Sequence, residues 1–440
     1  MAPSERVVTW SELSEHTKLG DLWVAIDGMA YDVSDWTEAH PGGPIVLERS
    51  AGRDATEAFH AYHPDRVVGI LGKFKVGRME TERRNPLPEA TVKYNKLVKE
   101  LKAEGLFETN YSFYVKLAVW LISLYCLTWY LMVRGNWILG MFSVALFWQQ
   151  VAFLGHDSGH NGITHVRKKD SVICMFSTAF VGIGMSYWKN SHNVHHTVVN
   201  SFDCDPDIQH MPVLAVGPEF FNSIYSKYYD HVLTYDIVAE VMVPYQHWTF
   251  LPVLCIAKWG LYIKSIAQLF AGRVHFSFSL ECLSFVVFFG WYIGMALMVP
   301  TWLGRVAFVF FSHCIFMVLH LQICISHFSR DTFEGDQTED DWMGVQLRGT
   351  MDWTCPTWMD WFHGGLQYQI EHHLFPRMPR HNLRKVVGRV EALCKEVGLE
   401  YISPGFFGAV CQTISALRKT AMEARKYRDA QRKLRAAKAK

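Results

Sequence analysis

Three short histidine clusters lie in the apolar part of this 440-residue chain: His156-Asp157-Ser158-Gly159-His160, His192-Asn193-Val194-His195-His196 and Gln369-Ile370-Glu371-His372-His373. Residues three and four apart share one face of a helix, so each cluster can aim two or three imidazoles at a common point. Imidazole nitrogen is the commonest side-chain metal donor and suits iron, zinc and copper. His195 and His196 are neighbours that diverge by about 100° on a helix, so they can serve two different metals. That favours a dinuclear centre. A zinc protease of the H-E-x-x-H kind is disfavoured, because position 157 is aspartate. The ten cysteines show no C-x-x-C spacing, and the chemistry pointed to is oxygen handling by a non-haem metal pair.

A second kind of metal chemistry is written near the N-terminus. His40-Pro41-Gly42-Gly43 sets an imidazole on a tight turn, and His63 follows 23 residues later. Two imidazoles on opposite faces of a flat macrocycle hold a haem that carries electrons without binding oxygen. By spacing alone, His60 competes with His63.

Two kinds of structure must position these groups. Residues 1–80 read as a small α+β domain: Trp23-Val24-Ala25-Ile26 before Asp27-Gly28 predicts a strand and hairpin turn, with short helices near 44–50 and 55–62. Residues 81–112 form a linker with Pro86 and Pro88, and a charged amphipathic surface helix is predicted over 89–104. Residues 113–415 read as an all-α membrane domain. Its apolar runs at 113–133, 137–155, 276–299 and 302–326 are each long enough to cross a bilayer, and they pair into two hairpins. Shorter or lysine-containing runs at 172–187 and 248–271 read as interfacial or re-entrant helices. Residues 416–440 form a basic tail, read either as a solvated, frayed helix or as an arm on anionic headgroups.

Four crossings bring every histidine cluster to the same side of the membrane as the N-terminus, forming a histidine-rich cytosolic cap. Of the 43 Lys/Arg, Arg134 and Arg305 alone fall in the opposite turns, in keeping with the positive-inside rule. Three or five crossings would split the clusters. Residues 1–80 carry 13 Asp/Glu against 8 Lys/Arg, a net of −5, although the whole chain is at +1. An acidic N-terminal domain can therefore attract a more basic membrane domain. Met1 to Gly20 is polar, without the apolar segment of a cleaved signal peptide. The cysteines read as buried, reduced thiols, and no nucleic-acid partner is expected.

Residues 7–78, with Gly52-Arg53-Asp54-Ala55-Thr56 and Phe59, resemble a cytochrome b5 domain. That resemblance implies His40 and His63 as the axial ligands of haem b; its pattern of histidine directly before proline favours His63 over His60. Together the three clusters resemble membrane fatty-acyl desaturases. The fused haem domain and Gln369 resemble the front-end subgroup of that family. The resemblance implies two non-haem irons held by His156, His160, His192, His195, His196, His372 and His373. Gln369 stands where related enzymes have histidine, which implies a place beside the metal, as a ligand directly or through water. It also implies an eighth histidine just after the last span, matched by His327, although Ser326 departs from the usual Asn. His313 and His320, inside the span, are weaker candidates. Asp157 and Asn193 are candidate hydrogen-bond partners of ligand imidazoles, whereas Asp203, Asp205 and Asp207 read as a solvated turn. His165, His210, His247, His363 and His381 read as structural or substrate-side residues.

An unactivated methylene has no proton that a side-chain base can remove, so the oxidising power must come from O2 and iron. The resemblance implies an oxidoreductase of the endoplasmic reticulum membrane, supplied by an NADH-dependent cytochrome b5 reductase. Its substrate is a lipid, either a sphingoid base or an acyl-lipid. The segments 362–376 and 245–250 resemble the plant-type branch, which holds Δ8 sphingolipid and Δ6 acyl-lipid desaturases, and 203–210 leans to the sphingolipid members. A di-iron lipid hydroxylase and a non-enzymatic membrane haem electron carrier are the rival classes.

Overall fold

The computed structural model describes residues 6–335 and 342–438. At the N-terminus a five-stranded sheet is ordered β1-β5-β4-β3-β2, from Val7–Val8 (β1), Thr17–Lys18 (β2), Asp21–Ile26 (β3), Met29–Asp32 (β4) and Lys75–Met79 (β5). Trp23 pairs with Asp32 and Ile26 with Met29, so the hairpin turns at Asp27-Gly28, both with positive φ as such two-residue turns require. Four short helices complete the domain: Trp10–Glu15 (α1), Pro44–Ser50 (α2), Thr56–Tyr62 (α3) and Val68–Leu71 (α4). One face of the sheet and helices α2 and α3 enclose Leu22, Val24, Tyr31, Phe59 and Leu71.

Beyond the linker, Glu89–Ala103 (α5) buries Tyr94, Leu97 and Leu101. Its inner face joins a core shared with Trp342–Gly349 (α14), Gln369–Leu374 (α16) and Arg380–Val397 (α17). The amphipathic pattern is thus half of a tertiary contact.

Tyr111–Val133 (α6) and Trp137–Gly159 (α7) form one antiparallel hairpin, and Phe278–Leu297 (α12) and Trp302–Cys324 (α13) the other. At about 1.5 Å per residue each spans roughly 30–35 Å, the thickness of a hydrocarbon core. Val119, Ile122, Ile138, Val286, Ile293 and Leu303 are exposed, as lipid-facing residues are.

Between the hairpins the chain departs from the simplest expectation. The apolar run at 172–187 is two helices, Arg167–Val181 (α8) and Met185–Thr197 (α9), bent by 111° at Gly182 to Gly184. Ile237–Met242 (α10) and Gln246–Phe270 (α11) together are long and apolar enough to count as a fifth span. Packing argues against a fifth crossing. Along α11, Leu254 meets His320, Cys255 meets Met317 and Tyr262 meets His313, in descending order on α13. Tyr262 then meets Phe288, while Ser265 bonds Gly184, which lies against Phe285 and Glu281, descending on α12 as well. Since α12 and α13 are antiparallel to each other, α11 lies across the bundle. Lys258 is buried in that contact, its Nζ 3.0 Å from the Trp148 ring centroid.

The described chain ends in Phe406–Lys438 (α18), which continues unbroken past residue 415. Leu417, Thr420, Ala421 and Ala424 are buried, and Arg425 donates to the Pro244 carbonyl. The first half of the basic tail is therefore packed, not frayed. Asp360–His363 (α15) lies just before α16.

Candidate metal centres

Each histidine cluster sits at a helix end, which is why the sequence spacing works. His156 ends α7 and His160 caps it; His192, His195 and His196 occupy the last turns of α9; His372 and His373 lie on the short α16. His327 follows α13 directly. Ligand nitrogens of His156, His160, His192 and His372 lie within 4.8 Å of one another, and those of His195, His327 and His373 form a second such group. The His195 and His196 rings stand at 79° to each other, and both lie against His373. His196 lies between the groups, with ring centroids 4.7 Å from His160 and His372 and 4.0 Å from His373.

The rings of the second group are held from behind. His195 Nδ1 is 2.8 Å from the Asp205 carboxylate, His327 Nδ1 is 3.0 Å from the Gly349 carbonyl, and His373 Nδ1 is 3.0 Å from Gln346 Oε1. Each such bond fixes a tautomer and turns Nε2 inward, the arrangement metal ligands need. His160 Nε2, His372 Nε2, His373 Nε2 and His196 Nδ1 are buried without a hydrogen-bond partner. An unsatisfied buried polar atom costs roughly 1–3 kcal/mol, and a bound cation relieves several at once. The donor set is nitrogen-rich with few sulfurs, so it fits iron.

The neutral form is favoured at His192, His196 and His327, but not at His195. Burial depresses His192 to about 4 and His327 to about 3. Burial and then His373 push His196 well below its ordinary value. At His195 burial opposes the charge, but Asp205 and Asp207 outweigh it and raise the imidazole.

Gln369 is buried and lines a small cleft with His156, His160 and His372, next to Leu366, Met378 and Leu383. Trp188 lies against His192 at 4.5 Å and His160 at 5.3 Å. Only glycine fits at 159, because a Cβ there would sit 1.9 Å from the Trp188 ring.

In the N-terminal domain His40 and His63 face each other, ring centroids 5.9 Å apart. A single metal with nitrogens about 2 Å away on each side needs a gap of that size. His63 Nδ1 is 3.0 Å from the Phe59 carbonyl, and His40 Nδ1 is 3.3 Å from that of Gly43. Burial holds His40 near 3 and His63 near 4, so both are neutral donors. Gly42 leaves room for the His40 ring, which a Cβ would approach to 2.8 Å. His60 instead turns outward to Asp27, 3.0 Å away.

The fatty acid desaturase model matches residues 127–405, and the cytochrome b5-like haem/steroid binding domain matches 9–80. The chain belongs to the fatty acid desaturase family. As a desaturase with a fused haem domain it is an oxidoreductase and a membrane protein whose cofactors are haem and a non-haem di-iron centre. It is 38% identical to Delta(8)-fatty-acid desaturase 2 of Arabidopsis thaliana, over 96% of this chain and 94% of that one. Acyl-lipid (9-3)-desaturase of Borago officinalis is 38% identical over 96% of this chain and 95% of its own. Delta 8-(E)-sphingolipid desaturase of Kluyveromyces lactis is 30% identical over 95% and 93%.

The haem domain of this desaturase is docked on the helix that carries the second cluster. Asn193 Nδ2 donates to the Gly42 carbonyl at 3.4 Å, and Ile45 and Val46 pack on Val194 and Val198. Lys102 pairs with Asp65 at 2.8 Å. The contact is a mixture of apolar packing and local polar bonds more than a meeting of acidic and basic faces. Several sequence readings change accordingly. Asn193 serves the docking and holds no ligand ring. Asp157 pairs with Arg380 and Tyr114, and His156 Nδ1 lies 4.0 Å away, too far for a hydrogen bond. Asp205 and Asp207, read as a solvated turn, face His195 and His192. Gln346 was not singled out by any sequence signal. The i, i+2 carboxylates after the second cluster were the available clue for Asp205 and Asp207. His313 lies against Trp259, and His320 Nδ1 bonds the Leu254 carbonyl; both are packed within the span.

Proposed function

We propose that this chain inserts a double bond at Δ8 of sphingolipid long-chain bases, using O2 and electrons relayed through its own haem domain. In this reading one iron is held by His156, His160, His192 and His372 and the other by His195, His327 and His373, with His196 between them and Gln369 beside the first. His40 and His63 are the axial ligands of haem b. Bound iron supplies the activation of O2 and the removal of hydrogen from an unactivated methylene. The chain's own residues do the rest. Asp205, Gln346 and the Gly349 carbonyl hold imidazole tautomers, and Trp188 walls the first group. The cleft beside Leu366, Met378 and Leu383 borders His156, His160 and His372.

The observation that carries the reading is the convergence of two imidazole groups in a chain that also pairs His40 with His63. Support for the Δ8 position comes from relatives named for it, among them those of Arabidopsis thaliana and Kluyveromyces lactis. The equally similar acyl-lipid desaturase of Borago officinalis favours a second reading, a Δ6 acyl-lipid desaturase. An endoplasmic reticulum location with the N-terminus and histidine clusters cytosolic, and an NADH-dependent cytochrome b5 reductase as electron donor, complete the reading. Lipid analysis of a host expressing the chain, covering sphingoid bases and fatty acids, tests it. A new Δ8 sphingoid base is expected. A Δ6 fatty acid alone would select the second reading, and hydroxylated lipid without an alkene would remove desaturation.

A further inference from the structure

Tyr62 is the residue immediately before His63, at the end of α3. Its ring does not stay within its own domain. It meets His196 edge to face, centroids 6.4 Å apart at 87°, and Trp342 at 5.9 Å and 88°. The phenol oxygen is buried as well. An aromatic ring on the residue next to His63 thus meets the imidazole that lies between the two histidine groups of the other domain. Ala58 and Ala61 on the same helix pack with it against the α5 and α14 core, so the ring's position is fixed by one helix of the linker and one of the membrane domain.

We propose that Tyr62 is the bridge by which electrons pass from the haem crevice to the non-haem metal cluster, through its ring edge onto His196. The assignment rests on the ligand reading above. Tyr62 passes one electron per event and makes or breaks no bond. The donor is reduced haem, which is left oxidised by one electron, and the acceptor is a ferric ion lowered to ferrous. A flavoprotein reductase restores the haem electron. Two such electrons and two protons, with two hydrogens from the lipid chain, reduce one O2 to two waters. The docking polar contact from Asn193 to Gly42 offers another path, but it reaches α9 backbone before any imidazole.

The test uses the full chain holding haem and iron, with the haem reduced anaerobically by dithionite and then mixed with O2 and lipid substrate. Reoxidation is read from the haem absorption bands. Tyr62→Leu is expected to slow reoxidation several-fold while haem spectrum, haem potential and iron content stay unchanged. Tyr62→Phe, which keeps the ring, is expected to retain the rate. Should the leucine variant lose haem or iron, Tyr62→Met, closer in volume, replaces it under the same criteria. Wild-type reoxidation in a loaded leucine or methionine variant overturns the bridge, as does a phenylalanine variant as slow as leucine. A slow Asn193→Ala beside a normal Tyr62→Leu places the route at Gly42 and also overturns it. If the unmodified chain forms no desaturated product, the functional reading fails instead, and the two failures are distinct.

Discussion

His195 and Asp205 are joined through Nδ1 and a carboxylate oxygen at 2.8 Å, both side chains buried. The same carboxylate accepts the backbone N–H of Asn200 at 2.7 Å, so a loop leaving α9 is tied to the ring it must orient. Such partners of ligand imidazoles commonly contribute 10–100-fold to metal affinity. Asp205→Asn is therefore expected to weaken iron retention by on the order of tenfold or more. Chelator competition, with haem content as the internal reference, measures it; unchanged iron affinity would remove the role given to Asp205.

The identity of the second axial ligand gives a clean contrast. His60 faces Asp27 and His63 faces His40. His63→Ala should abolish the bound-haem spectrum, whereas His60→Ala should leave it intact. Iron in the membrane domain should be unaffected by either. Haem titration of both variants, followed by absorbance, decides this. His40→Ala is likewise expected to stop product formation by the chain's own haem route and leave the di-iron site loaded.

Gly159 and Trp188 test the wall of the first histidine group. A methyl at 159 collides with the indole ring at 1.9 Å, and that ring lies against His192 and His160. Overpacking of this kind costs about 1–3 kcal/mol. Gly159→Ala should lower the thermal midpoint and reduce turnover together. A variant with normal stability and turnover would show that the wall yields without consequence.

A buried carboxyl pair lies behind α16. The Tyr401 hydroxyl lies 2.7 Å from an Asp352 carboxyl oxygen and 2.9 Å from one of Glu371, and its single proton serves one of them. Burial raises Asp352 to about 6, and burial then the neighbouring Asp352 charge raise Glu371. For an acid with a raised folded value, the folded chain holds the proton that the unfolded chain releases. Stability from this pair is therefore fully present below about pH 4 and declines as pH rises towards about 6. Asp352→Asn should flatten that decline in thermal midpoints measured across the interval. An unchanged slope would assign the pH dependence to other groups.

Much of this was legible in the sequence because the signals are local. Histidines at i, i+3 and i+4 keep their relation on any helix, and the apolar runs around Arg134 and Pro300 could only pair as hairpins. The Asp27-Gly28 turn followed from the same local logic. What the sequence did not give depends on distant packing. Asp205 and Gln346 hold rings contributed by other segments, 10 and 27 residues away. The transverse course of α11 follows from side chains on α12 and α13, and hydropathy is blind to it. Tyr62 resembled any helix-end aromatic until the docked domain placed it on His196. The packing of Leu417 and Ala421 in the basic tail was hidden by the surrounding charges.

Metal analysis of the purified full chain tests the paired iron site itself, with haem counted by absorbance and non-haem iron counted separately. One haem and two non-haem irons per chain are predicted, with His195→Ala and His373→Ala losing non-haem iron and keeping haem. Haem without stoichiometric non-haem iron, or iron retained in both variants, would rule out a di-iron centre held by these imidazoles.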